Sequence, residues 1–332
     1  MLGKKIGIDL GTANSLVWLA GKGVVLNEPT VVAVSMDDMK VVAVGNEAKT
    51  MLGRTSGSIV ASRPMKDGVI ADYAITEAML KFFITKAVGS NWFFKPEVMI
   101  CVPAGCTQVE RRAALDATRA AGARVAYLID EPLAAAIGAG ISIAEASGSM
   151  ILDIGGGTAE AAVISLGGVV DSRSVRVGGT KLDEAIVEYV RHNHNLVMGE
   201  VTAEEVKIKI GSATKLPRVE KVKIKGRDTI SGLPRTIELS SEEVWQAMEK
   251  PLSKIVGVVK SVIEVTPPEL VSDIIDKGLV MSGGTSTLRN LDTLLTKETG
   301  IPAYVAEEPL LCVVKGTGVA LSSIDKYKRA LR

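Results

Sequence analysis

The sequence predicts an α/β protein of two lobes related by an internal duplication. Three observations carry that reading. Short β-rich runs alternate with helix-patterned runs, as they do where helices cover a sheet. A strand, Asp-x-Gly turn and strand near the start, "IGIDLGTANS" (6–15), returns as "ILDIGGGTAE" (151–160). A chain of 332 residues is also long for one core and suits two lobes of ordinary domain size.

The elements follow in order. "KKIGIDLGTANSLVWLAGKGVVLNEPTVVAVS" alternates β-rich runs with glycine turns and reads as hairpins. Residues 75–88 take helical spacing, "EVMICVPAG" is a buried strand, "TQVERRAALDATRAAGA" a helix, and "VAYLID" with "EPLAAAIGAG" a further strand and helix. "EASGS" (145–149) is a tight crossing, after which "MILDIGGGTAEAAVISLGGVVDS" repeats the opening hairpins. Helices are expected over 181–192 and 203–210, a polar β-region over 218–239, and a helix over 241–263. "DKGLVMSGGTSTLRNLDTLL" predicts one more strand, glycine turn and helix.

Composition narrows the classes. With 47% hydrophobic and 23% charged residues the chain is globular, and a net charge of +1 gives no general attraction to nucleic acid. The basic stretch from Lys207 to Arg227 contains Lys221, Lys223 and Lys225 alternating with Val222 and Ile224, the pattern of one solvated strand face, so no nucleic-acid partner is expected. The longest uncharged run, Pro132–Ala144, is well short of the roughly 20 residues that span a bilayer. The start, "MLGKKIGIDLG", enters a strand at once and predicts no secretory signal. Cys101, Cys106 and Cys312 have no CxxC spacing, which argues against zinc or a disulfide framework and favours a cytoplasmic setting. The two histidines, His192 and His194, stand two apart on a helix and so face different ways, a poor metal pair.

Three glycine turns follow apolar strands: "IGIDLGTAN" (6–14), "ILDIGGGTAE" (151–160) and "VMSGGTSTL" (280–288). Each brings backbone N–H groups within reach of an anion, and the third is expected to open onto a helix N-terminus. The pairing of Asp9-Leu-Gly-Thr with Asp153-Ile-Gly-Gly-Gly-Thr at matching points of two halves is more specific than any single turn. Asp9 and Asp153, at strand ends facing one cleft, would hold magnesium through its water shell, since magnesium keeps several waters and takes few carboxylates. Neither G-x-x-x-x-G-K-[ST] nor G-x-G-x-x-G occurs.

These turns, with the small-residue helices "AAAIGAG" (134–140) and "KGTGVAL" (315–321), resemble the actin, sugar-kinase and heat-shock chaperone superfamily. Within it, "NEPTVVA", "RPMKDGVIADY", "DEPLAAAIG", "TAEEVKIKIGSA", "SGLPRTIEL" and "TPPELVSDIIDKGLVMSGG" resemble the MreB/Mbl group of bacterial actin homologues nearly end to end. The resemblance implies an actin-like (ribonuclease H-like, duplicated) fold, two lobes around a nucleotide cleft, each with a large sheet subdomain and a small subdomain. Domain I would comprise 1–145 and 313–332, with its small subdomain at about 32–66. Domain II would comprise 146–312, with its small subdomain at about 182–242.

The same resemblance implies ATP and Mg2+ as ligands. Gly11, Thr12, Ala13 and Asn14, with Gly155, Gly156, Gly157 and Thr158, would cradle the phosphates; Glu204, Glu205 and Lys207 would meet ribose and adenine; Gly283, Gly284, Thr285, Ser286 and Thr287 would close the other side. Glu131 would activate the attacking water and Thr158 help orient it. Family members usually carry Thr-Thr-Glu where Thr158-Ala159-Glu160 stands, Ala-Gly-Asp for Gly178-Gly179-Thr180, and Thr-Gly-Gly-Gly for Ser282-Gly283-Gly284-Thr285. Thr180 removes a carboxylate near the cleft, so a slow ATPase is expected. The implied function is a cytoskeletal filament on the inner membrane face that guides cell-wall synthesis and rod shape, with self, the membrane, RodZ, MreC and MreD as partners.

A small-molecule kinase is the alternative, but no insertion builds an acceptor pocket. A chaperone ATPase would need a peptide-binding domain, and none is expected. Aromatic residues are only 4% of the chain, yet Trp92, Phe93 and Phe94 stand together in "GSNWFFKPEV". In the MreB group an apolar loop here or an amphipathic N-terminal extension contacts the membrane. No extension is expected before Lys4, and the loop is therefore expected to carry that task. Each inserted aromatic removes about 150–250 Å² from water, worth several kcal/mol for three at roughly 25 cal/mol/Å². One copy would hold weakly and a filament of copies firmly.

Overall fold

The computed structural model describes residues 3–38, 40–55, 57–89 and 94–327. The first lobe opens with β1 (Lys5–Leu10), β2 (Asn14–Leu19) and β3 (Gly23–Pro29), joined as antiparallel hairpins. A small sheet follows, β4 (Val32–Ser35), β5 (Val41–Val44) and β6 (Ile59–Ser62), with α1 (Asn46–Met51) packed on it. A two-stranded ribbon, β7 (Met65–Lys66) and β8 (Val69–Ile70), leads to α2 (Tyr73–Val88). Asp72 caps α2 by accepting the Ile75 amide. Then come β9 (Glu97–Val102), α3 (Gln108–Ala120), β10 (Val125–Asp130) and α4 (Glu131–Gly138). Thr107 and Glu110 form a reciprocal capping box that starts α3.

The second lobe repeats the plan. β11 (Ser149–Ile154), β12 (Ala159–Ser165) and β13 (Gly168–Val175) form two more hairpins. They are followed by α5 (Gly179–His194), β14 (Leu196–Val197), α6 (Glu200–Ile210), β15 (Lys221–Asp228) and β16 (Pro234–Ser240). α7 (Ser241–Ile263), opened by a Ser240–Glu243 capping box, and α8 (Pro268–Lys277) precede β17 (Leu279–Ser282). α9 (Leu291–Thr299) and β18 (Ala303–Val305) complete the plan, and α10 (Cys312–Ser322) returns to pack on β1, β2 and β9 of the first sheet.

The duplication is visible in strand order. The first large sheet runs β10-β9-β1-β2-β3 and the second β18-β17-β11-β12-β13. In each, an antiparallel meander is extended by two parallel strands. β15 exposes Lys221, Lys223 and Lys225 on one face and sends Ile224 into the core, and its partner β16 sends Leu239 there. That is the solvated face the alternation predicts.

Two helices join the lobes. α4 and α10 cross so closely that a Cβ on Gly138 would lie 1.8 Å from the Cys312 carbonyl oxygen, and one on Gly316 1.8 Å from that of Ala134. Only glycine permits such backbone contact. Around this crossing one apolar cluster takes Met99 and Ile129 from the first sheet, Ile151 and Ile164 from the second, and Leu133, Val313 and Leu321 from the helices. The lobes therefore share a packed axis beneath the cleft, which opens above it.

Candidate functional site

The turns after β1 and β11 meet at the cleft floor. A Cβ on Gly156 would lie 2.6 Å from that of Ala13, and one on Gly157 2.4 Å from the Thr12 hydroxyl, so side chains there would force the two hairpins apart. Thr12 Oγ1 accepts the Gly68 amide at 2.9 Å, which ties the β7–β8 ribbon to the same point. Gly68 has φ of 79° and fits between Pro103 and Thr158. On the far side, the amides of Gly179 and Thr180 donate to the carbonyls of Gly155 and Gly156 at 3.0 and 2.8 Å, clamping the start of α5 onto the second turn.

Between these turns lie four carboxylates, Asp153, Glu131 and Glu160 buried and Asp9 half-buried. Asp9 is the last residue but one of β1, and Asp153 stands likewise in β11, directly across from Glu160 on β12. Glu131 is the first residue of α4. Burial, then the Asp153 charge, pushes the Asp9 carboxyl up to about 7, although the Cys101 thiol lies 3.4 Å from Asp9 Oδ1. Burial raises Asp153 to about 6, opposed by the Ser282 hydroxyl, which donates to Oδ1 at 2.6 Å. Burial likewise raises Glu160 to about 7 even though Ala104 N and the Ser174 hydroxyl donate to it at 3.0 and 2.8 Å. Glu131 is held well above the usual carboxylate range by burial first and then by Glu160, Asp9 and Asp153. The neighbouring Asp130 turns away and pairs with Arg111.

The cleft above this floor has a volume of about 980 Å³. Of the residues expected there, Asp9, Gly11, Thr12, Ala13, Asn14, Glu131, Asp153, Gly155, Gly156, Gly157 and Thr158 all line it. Glu204, Lys207, Gly283, Gly284, Thr285 and Thr287 do so as well. Two do not. Glu205 lies on the outer, exposed face of α6, because one residue past Glu204 is about 100° round the helix. Ser286 is buried and its hydroxyl donates to the Gly283 carbonyl at 2.6 Å.

The third turn also differs from expectation. It leads into a single 3-10 turn, Gly284–Thr287, and α9 begins only at Leu291 after a left-handed Asn290. A helix dipole is therefore not aimed at the cleft here. Instead Thr285 Oγ1 donates to the Gly155 carbonyl at 2.8 Å, and Gly283, at φ of 82°, packs on Ile154, so the turn is bound to the 155–158 turn.

Several site residues escaped the motif reading. Glu160 could have been found as the lone charge in the apolar run "AEAAVIS". Asp183 on α5 receives the Lys207 ammonium at 2.8 Å, and the same ammonium donates to the Gly179 carbonyl at 3.0 Å. Burial nonetheless lifts Asp183 to about 6. Lys49 on α1 reaches Glu204 on α6 at 3.3 Å, an ion pair that crosses from one small sheet's side of the cleft to the other.

Elsewhere, His194 Nε2 lies 2.7 Å from Glu243 Oε1, and no group of three or more metal-binding side chains gathers among the described residues. Trp92 and Phe93 lie outside the described residues, while Phe94 is 55% exposed. Of the helix aromatics just before them, Phe83 is buried and Phe82 is exposed beneath the Lys86 ammonium, 5.4 Å from its ring centre. No helix among the described residues is long and apolar enough to cross a membrane.

Known proteins resemble this chain over nearly its whole length. The cell shape-determining protein MreB of Escherichia coli K12 is 54% identical over 98% of this chain and 96% of its own length. The cell shape-determining protein Mbl of Bacillus subtilis 168 is 50% identical over 99% of both. Among solved structures, MreB5 of Spiroplasma citri bound to AMPPNP superposes with a TM-score of 0.93 at 37% identity over 99% of both chains. The MamK double helical filament, at 20% identity and a TM-score of 0.82, supports the fold alone. A family model described as MreB/Mbl protein matches residues 3–329, and the chain belongs to that family of actin-like proteins.

Proposed function

We propose that this chain is an ATP-binding cytoskeletal protein that polymerises into actin-like filaments, hydrolyses ATP slowly, and directs cell-wall synthesis and rod shape from the cytoplasmic face of the membrane. The observation that carries the reading is the cleft floor, where Asp9, Asp153 and Glu131 line the cleft between two glycine turns, with Asp153, Glu131 and the adjoining Glu160 buried. Buried carboxylates this close repel one another unless a cation or protons neutralise them. A divalent cation fits that requirement. Because no three metal-binding side chains gather at one point among the described residues, it fits as magnesium keeping its waters, with Asp9 and Asp153 holding those waters.

Magnesium, when bound, would offset the charge of the terminal phosphates. The remaining work falls to the chain. Backbone amides of residues 11–14 and 156–158 receive phosphate oxygens, Glu131 takes the proton of the attacking water, and the Thr158 hydroxyl holds that water. Glu204 and Lys207 face the nucleoside. Support for ATP comes from the Spiroplasma citri relative, solved with AMPPNP and with ADP. Support for cell shape comes from the names of the Escherichia coli and Bacillus subtilis relatives. Whole-length likeness to such proteins disfavours a kinase. RodZ, MreC and MreD follow as partners from the family alone.

Membrane contact is assigned to Trp92, Phe93 and Phe94. Pelleting with anionic liposomes in the presence of ATP tests this together with assembly. The native chain is expected to pellet with the vesicles. The Trp92→Ser, Phe93→Ser, Phe94→Ser variant is expected to lose vesicle pelleting by about tenfold or more while still binding ATP. Vesicle binding by that variant equal to the native chain's would remove the loop from the account.

A further inference from the structure

The nucleoside end of the cleft is braced by a residue that no motif assigns. Arg289 follows the 284–287 turn, and its carbonyl accepts the Ala213 amide at 2.7 Å while Ser212 and Arg289 pair as a parallel bridge. Its guanidinium donates in three directions. Nε reaches the Gly211 carbonyl at 3.0 Å and Nη2 the Lys209 carbonyl at 2.9 Å. Nη1 and Nη2 also grip the two carboxylate oxygens of Glu220 at 2.9 and 3.0 Å.

The first two contacts place a cation on the free carbonyls at the C-terminal end of α6, where the helix dipole favours it. The third is the bidentate fork that only arginine makes. Glu204 and Lys207 stand on α6, Gly284 and Thr287 on the facing turn, and all four line the cleft with Arg289 itself. We propose that Arg289 is a positioning residue for the nucleoside: it fixes the spacing between α6 and the 284–287 turn, and with it the width of the slot that a purine base enters. This rests on the ATP reading above. The phosphate turns at 11–14 and 155–158 are not among its contacts.

Competition titrations with magnesium, using ATP and inorganic tripolyphosphate on native, Arg289→Ala and Arg289→Lys protein, test it. Arg289→Ala is expected to weaken ATP about tenfold and leave tripolyphosphate within about twofold. Arg289→Lys keeps the charge but not the fork, so it is expected to recover little of the loss; it also serves should the alanine variant not fold. Equal weakening of both ligands would mean general damage and overturn the proposal, as would no weakening of either. If the native protein bound ATP no better than tripolyphosphate, the ATP reading itself would fall. A native preference for ATP that survives in both variants would sink only the role of Arg289.

Discussion

Replacing Glu131 by alanine is expected to lower phosphate release by at least about a hundredfold while ATP still binds. Glu131 is the one cleft-floor carboxylate at a helix start, buried and free of a hydrogen-bonding side chain in the described structure, so it alone is poised to take a proton from water. Asp9 and Asp153 are instead engaged by Cys101 and Ser282, and Glu160 by Ala104 and Ser174. Burial first, and then the charges of Glu160, Asp9 and Asp153, hold the Glu131 proton on, so its action as a base is expected to require that those charges be offset. Turnover should therefore need the divalent cation even where nucleotide binding does not. Single-turnover phosphate release at saturating ATP reads the effect, and an unchanged rate in Glu131→Ala would remove the assignment.

The second large effect concerns pH. Asp9 and Glu160 titrate near 7 and Asp153 near 6, all above the range of an unfolded carboxylate, with Glu131 raised too. Groups raised in the folded state stabilise it fully below about pH 4 and lose that contribution as pH climbs through about 7. The nucleotide-free protein should thus melt several degrees lower at pH 8 than at pH 5.5, a difference on the order of a few kcal/mol. Carboxylates lowered by hydrogen bonds or ion pairs, such as Glu28 and Glu243, stay ionised across this window and do not oppose it. Magnesium with ATP should flatten the slope by supplying the missing positive charge. Differential scanning calorimetry across that range measures both, and a melting temperature that rises with pH would contradict the charge balance described for the floor.

Much of this was legible in the sequence because it is local. The Asp-x-Gly turns and the small-residue helices state their role within ten residues. What escaped depends on packing between distant segments. Glu160 matters because β-register sets it across from Asp153, and Arg289 because a turn in one part of lobe two lands on carbonyls some eighty positions earlier. The 3-10 turn at 284–287 was hidden for a different reason. Leu288, Leu291, Leu294 and Leu295 stand at helical spacing directly after it, so the pattern reads as a helix opening from the glycine turn, and only the left-handed Asn290 divides the two. Glu205 shows the converse limit: a motif names neighbours together, but a helix gives them different faces.

The central claim is that nucleotide in this cleft drives assembly. High-speed sedimentation with electron microscopy, with magnesium and with or without ATP, tests it most directly. Ordered filaments that pellet only with nucleotide are predicted, whereas a chain that stays monomeric with ATP bound would contradict the account.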